Sequence, residues 1–227
     1  MASRLFDYEG TNDFEAHLRG LATTDFVKDA LGAILAASPQ EERDWAIGEA
    51  IAEAWLGKEN NVVWPWNLAR DKRTPKASLP GADLVGFLVD ESNTRLVLGE
   101  VKSSREEQSP PQVMSGRSGM EHQIDRLATD LSLIITLLKW LWPRCKNTAF
   151  QTHYDASVRT FLKSGNTAVS LFGVLVRDTA VNEQDLRARG LTLGSTIEHP
   201  TFCSLIALYI PCRISDLPVK VKGASES

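Results

Sequence analysis

Cysteine is scarce in this chain. Cys145, Cys203 and Cys212 are odd in number and none lies in a CxxC spacing, which excludes a disulfide framework and a zinc knuckle. The four histidines are scattered and none forms an HxxxH pair, so imidazole metal chemistry is set aside as well. Positive charge is also short. The 25 Lys and Arg against 29 Asp and Glu leave a net charge of −4, whereas basic side chains supply most of the non-specific affinity for nucleic acid. A nucleic-acid binder of this composition must gather its cations on one face or let a partner hold the strand. Long apolar runs are missing too. The most apolar stretch, residues 131–142, is interrupted by Lys139 and is too short to span a bilayer. With no apolar signal core at the N-terminus, the expected compartment is the cytoplasm.

What is present is an ordinary globular composition, 43% hydrophobic and 24% charged over 227 residues, enough for one domain with a buried core. Residues 1–39 read as an N-terminal capping or interaction region, with apolar Phe26, Ala30, Leu31, Ile34 and Leu35 at helical spacing. Residues 40–214 read as the main domain and 215–227 as a polar tail. Within the domain the pattern predicts a helix over 40–56 ended by Gly57, a short strand over 61–66 and a polar, basic stretch over 67–79. A strand over 82–89, a turn over 90–94 and a strand over 95–102 follow as a hairpin. Next come a loop over 103–118, a long helix over 119–142 ended by Pro143, a strand over 169–176, a helix from Asn182 through Arg189 and a strand over 202–210. Residues 144–163 receive no place in the core. This order is α/β: a mixed central sheet flanked by helices.

The hairpin concentrates chemistry. In Pro80-Gly81-Ala82-Asp83-Leu84-Val85 a carboxylate stands at the entrance of an apolar strand. In Leu96-Val97-Leu98-Gly99-Glu100-Val101-Lys102 a carboxylate and an ammonium close another. Strand side chains alternate between faces, so Glu100 and Lys102 point the same way. The start of the first strand lies beside the end of the second, so Asp83 falls near both. Two acids and one cation at one rim suit phosphodiester hydrolysis. Carboxylate oxygens hold a hard divalent cation, the cation offsets charge on the phosphate and acidifies water, and an ammonium stabilises developing charge. Arg70, Lys72, Arg73 and Lys76 crowd the segment before Asp83 and are placed to grip phosphates. Trp45, Trp55, Trp64 and Trp140 sit in apolar patterns and read as core.

The pair Gly81-x-Asp83 and Glu100-x-Lys102, with sixteen residues between the two acids, resembles the PD-(D/E)xK nuclease superfamily. Glu100-Val101-Lys102 is the single [DE]xK in the chain. The resemblance implies a restriction-endonuclease-like core and Mg²⁺- or Mn²⁺-dependent cleavage of DNA. Asp83, Glu100 and the carbonyl of Val101 would hold the metal, and Lys102 would position or activate water. It also implies a helix carboxylate before the sheet, Glu49 or else Glu53, with Glu49 chosen as a further catalytic and metal contact. Gln123, on the helix after the motif, would contact the lysine or a phosphate. A narrower likeness, carried by Leu98-Gly99-Glu100-Val101-Lys102 after Gly81-Ala82-Asp83 and an Ala/Glu-rich helix, is to the nuclease subunits of Hachiman-type anti-phage defence systems. That likeness implies a helicase or ATPase partner that delivers the DNA. Two rival readings stand beside these: a catalytically inactive nuclease-like fold that binds nucleic acid or acts as a scaffold, and an unrelated α/β domain whose hairpin ion pair is incidental.

Overall fold

The computed structural model describes residues 44–66, 81–91 and 93–217, with a few single positions outside these stretches. The expected N-terminal helix, the cluster Arg70, Lys72, Arg73 and Lys76, and most of the polar tail lie outside the described residues.

Helix α1 (Asp44–Glu59) leads into a two-residue strand β1 (Val62–Val63). The hairpin follows as β2 (Leu84–Val89) and β3 (Thr94–Ser104). Three helices come next, α2 (Met120–Thr129), α3 (Leu131–Cys145) and α4 (Gln151–Lys163). The chain closes with β4 (Val169–Arg177), α5 (Gln184–Thr196) and β5 (Phe202–Tyr209), and a 3₁₀ turn (Ile214–Asp216) ends the domain. The sheet order is β1-β2-β3-β4-β5. The first two pairings are antiparallel and the last two parallel. The fold is therefore α/β, with a mixed five-stranded sheet flanked by helices.

Alternation along β3 divides the core. Val97 and Val101, with Phe172, Val174 and Val176 of β4, face α1 and Ile214. Leu96 and Leu98, with Leu171 and Leu175 of β4, face α2, α3 and α4 through Ile124, Leu137 and Phe161. Burying each such side chain is worth about 1.5–3 kcal/mol, and a one-residue slip of β3 would swap its two faces and lose the packing of both layers at once. At one edge of the sheet β1 is only two residues long. At the other, β5 carries no charged side chain.

Several elements depart from the sequence pattern. The helix expected over 119–142 is two helices. Asp130 breaks it, because its carboxylate accepts from the backbone N–H groups of Ser132 and Leu133 and so caps α3. Pro143 does not stop α3, which runs on to Cys145. The missing N–H falls in the last turn, and there Arg144 donates 2.7 Å to the Trp140 carbonyl. Gly57 does not end α1. The left-handed Asn61 (φ 54°) follows two residues after its last turn. Residues 151–163, left without a role, form α4, whose buried Phe161 and Ser157 seat it against the sheet. Among the described residues no helix is long and apolar enough to cross a membrane.

Candidate active site

The hairpin register pairs Leu84 with Gly99, which brings Asp83 to the end of β3 that carries Glu100. Asp83 donates its backbone N–H to the Gly99 carbonyl at 3.0 Å. Its carboxylate accepts the backbone N–H of Val101 at 2.9 Å. Asp83 thus stands just beyond β2, and its side chain takes the place that a strand carbonyl would have filled. The Asp83 carboxyl also lies within hydrogen-bond reach of the Glu100 carboxyl.

Glu100 and Lys102 point to the same side of the sheet, as alternation requires. Lys102 Nζ lies 2.6 Å from Glu100 Oε1. Glu100 is buried, at 8% exposure. Burial pushes its carboxyl up to about 7, the charge of Asp83 and a hydrogen bond between the two carboxyls push the same way, and Lys102 pulls against them. Two carboxyls in hydrogen-bond contact, one of them raised to about 7, repel each other's ionisation, and a proton relieves that repulsion. Such perturbed groups gather where chemistry is done.

The oxygens on offer are two carboxylates and the Val101 carbonyl, all hard donors of the kind Mg²⁺ takes. Among the described residues no group of three or more His, Cys, Asp or Glu side chains is arranged to hold a metal.

Glu49 and Glu53 are both buried on α1, the helix that covers the opposite face of the sheet from Glu100. Gly48, next to Glu49, lies against Ser103 and Val101. Glu49 therefore belongs to the same end of β3 as the motif, across the sheet from it. Gln123 rides on α2, on the motif's own side, and turns its amide nitrogen to the Arg117 carbonyl at 2.9 Å. Trp64 and Trp66 are buried, and their indole N–H groups are spent on the carbonyls of Glu53 and Val85. They offer no stacking platform.

A second polar cluster escaped sequence reasoning. Arg177, the last residue of β4, is buried with Asp185 of α5, and its Nη1 lies 2.6 Å from each carboxylate oxygen. Ser109 and Tyr209 also donate to Asp185. Burial pushes Asp185 up, but these donors outweigh it and hold the carboxyl below its ordinary range. The one available signal was an arginine closing the otherwise apolar strand Val-Ser-Leu-Phe-Gly-Val-Leu-Val-Arg.

No protein-family model matches the chain, and no curated protein sequence is similar to it.

Proposed function

We propose that this chain is a Mg²⁺- or Mn²⁺-dependent nuclease of the PD-(D/E)xK type with a restriction-endonuclease-like core, acting on DNA. The observation that carries the reading is the convergence of Asp83, Glu100 and Lys102 at one end of β3, with Glu100 buried and its carboxyl raised to about 7.

Asp83 and Glu100, with the Val101 carbonyl, would hold the metal. When bound, the cation supplies positive charge against the phosphate and makes water more acidic. The other roles fall to the chain. Asp83 is fixed through the Val101 amide and keeps its carboxyl beside that of Glu100. Glu100 is held in place by its contact with Lys102. Lys102, part-buried beside Glu100, would orient a water or offset charge on a phosphate oxygen. Arg70, Lys72, Arg73 and Lys76 precede Asp83 in sequence and are assigned to the phosphates flanking the cut.

The net charge of −4 supports weak intrinsic affinity for DNA and hence a partner that brings the strand. We assign that role to a helicase or ATPase subunit, as in Hachiman-type defence complexes. The test is incubation of the pure chain with plasmid, linear and single-stranded DNA, with and without Mg²⁺ or Mn²⁺, beside Glu100→Ala. Metal-dependent cutting that Glu100→Ala abolishes is the expected result. Cutting by Glu100→Ala at the wild-type rate would overturn the assignment.

A further inference from the structure

A polar cavity of about 730 Å³ opens past the carboxyl ends of β3 and β4. One wall is the segment leaving β3, with Arg105 and Ser109. The other is the segment leaving β4, with Thr179 and Asn182, and Arg213 from beyond β5 completes the lining. Crevices outside the carboxyl ends of parallel strands are where open α/β sheets take ligands.

Arg177 ties the walls together. Its Nη1 is committed to Asp185, while Nη2 donates to the carbonyls of Glu106 and Gln108 in the segment leaving β3. Arg177 is only 1% exposed, lines the cavity, and its Nε–H has no acceptor. The Thr179 hydroxyl, on the same lining, is likewise buried without a partner. The two acids of the lining do not fill this need. Asp178 accepts the backbone N–H of Ile214 at 3.0 Å, and Glu107 is exposed to solvent. Two lining residues thus each carry a buried donor without an acceptor, and the exposed cation Arg213 stands on the same lining, a set that favours an anionic oxygen ligand.

The cavity shares its end of the sheet with Lys102. Arg105 lies three residues further along, about 10 Å at the strand rise of about 3.3 Å per residue. We infer that the cavity binds a backbone phosphate of the nucleic-acid strand, further along the strand from the bond that is cut. This rests on the nuclease reading, and it adds a subsite built from Arg213, Thr179 and the Arg177 Nε–H.

The experiment measures binding of a fluorescent 20-base-pair duplex to the whole chain in EDTA at several salt concentrations. It compares wild type, Arg213→Ala and Thr179→Val, each first shown to melt as wild type does. A duplex series carries one uncharged methylphosphonate at successive positions. Arg213→Ala should weaken binding about tenfold and reduce the salt slope by about one. One methylphosphonate position, away from the mapped cut, should weaken wild type by a similar factor and leave Arg213→Ala unchanged. Equal slopes, with no methylphosphonate position singled out, would overturn the subsite while leaving metal-dependent cutting and its loss in Glu100→Ala untouched. Inorganic phosphate binding that depends on Arg213, combined with a flat methylphosphonate series, would make the cavity a small-anion site and equally overturn a strand subsite. If wild type neither cuts nor binds the duplex at low salt, the nuclease reading fails and the subsite fails with it.

Discussion

Replacing Glu100 with Gln should make the protein more stable at alkaline pH. Burial and Asp83 raise the Glu100 carboxyl from its ordinary 4.5 to about 7. Each tenfold change in proton affinity is worth about 1.36 kcal/mol, so ionised Glu100 costs the fold about 3 kcal/mol above neutral pH. The sign follows from linkage. A carboxyl whose folded pKa lies above its unfolded value contributes stability that is complete below about 4.5 and is lost as pH rises through about 7. Gln removes the titration and keeps the shape. The contact with Lys102 is already within this balance, since it pulls the carboxyl down against burial and Asp83. The expected net is about 2–3 kcal/mol in favour of Glu100→Gln at pH 8.5, fading to nothing or slightly negative at pH 4.5. At about 2–4 °C per kcal/mol for a chain of this size, melting temperatures in EDTA should separate by about 5–10 °C at the upper pH. Adding Mg²⁺ should narrow the gap by stabilising wild type alone. A stability difference that does not change between pH 4.5 and pH 8.5, or a variant less stable at pH 8.5, would refute the account of Glu100 as a strained, cation-seeking acid.

Three further outcomes follow. Lys102→Ala should slow Mg²⁺-dependent cutting of linear DNA by about 10²–10⁴-fold while leaving the melting temperature close to wild type, as initial rates and a thermal melt will report. Gly99→Ala should cost about 1–3 kcal/mol, because a Cβ there would overlap the Phe172 carbonyl across the β3–β4 ladder; urea unfolding measures the cost, and displacement of the adjacent Glu100 should depress cutting as well. Arg177→Met should cost about 3–5 kcal/mol by leaving Asp185 buried without its cation, and Arg177→Met with Asp185→Leu should recover part of that loss in the same urea assay.

The hairpin was legible because its information is local. Apolar strands on either side of Asp90-Glu91-Ser92-Asn93-Thr94 pair with each other, and the register that buries their side chains also brings Asp83 beside Glu100. The helical stretch after it was misread for a physical reason. Residues 119–142 keep a continuous helical pattern, and only the capping bonds of Asp130, invisible in a hydrophobic period, divide it. α4 was missed because its inward stripe is thin: Tyr154, Val158 and Phe161 among polar neighbours. The side of the sheet on which α1 docks is a tertiary choice, so the relation of Glu49 to Glu100 could not be read from spacing. The Arg177–Asp185 pair joins the end of a strand to a helix eight residues on, and no periodicity marks such a pair.

The bond from Val101 to the Asp83 carboxylate bears on how this site would decay in a lineage that stopped needing it. On the proposed nuclease reading Asp83 would serve the hairpin as well as the chemistry, so its loss removes a hydrogen bond to the Val101 amide even when catalysis no longer matters. Glu100 is the reverse: it weakens the fold at neutral pH, and selection for stability alone would discard it. In a descendant released from cutting, Glu100 should therefore drift first, toward glutamine or an apolar residue, while Asp83 lingers as a relic. An aspartate at this position would then say little about activity, and the residue two places before the lysine would be the one to inspect.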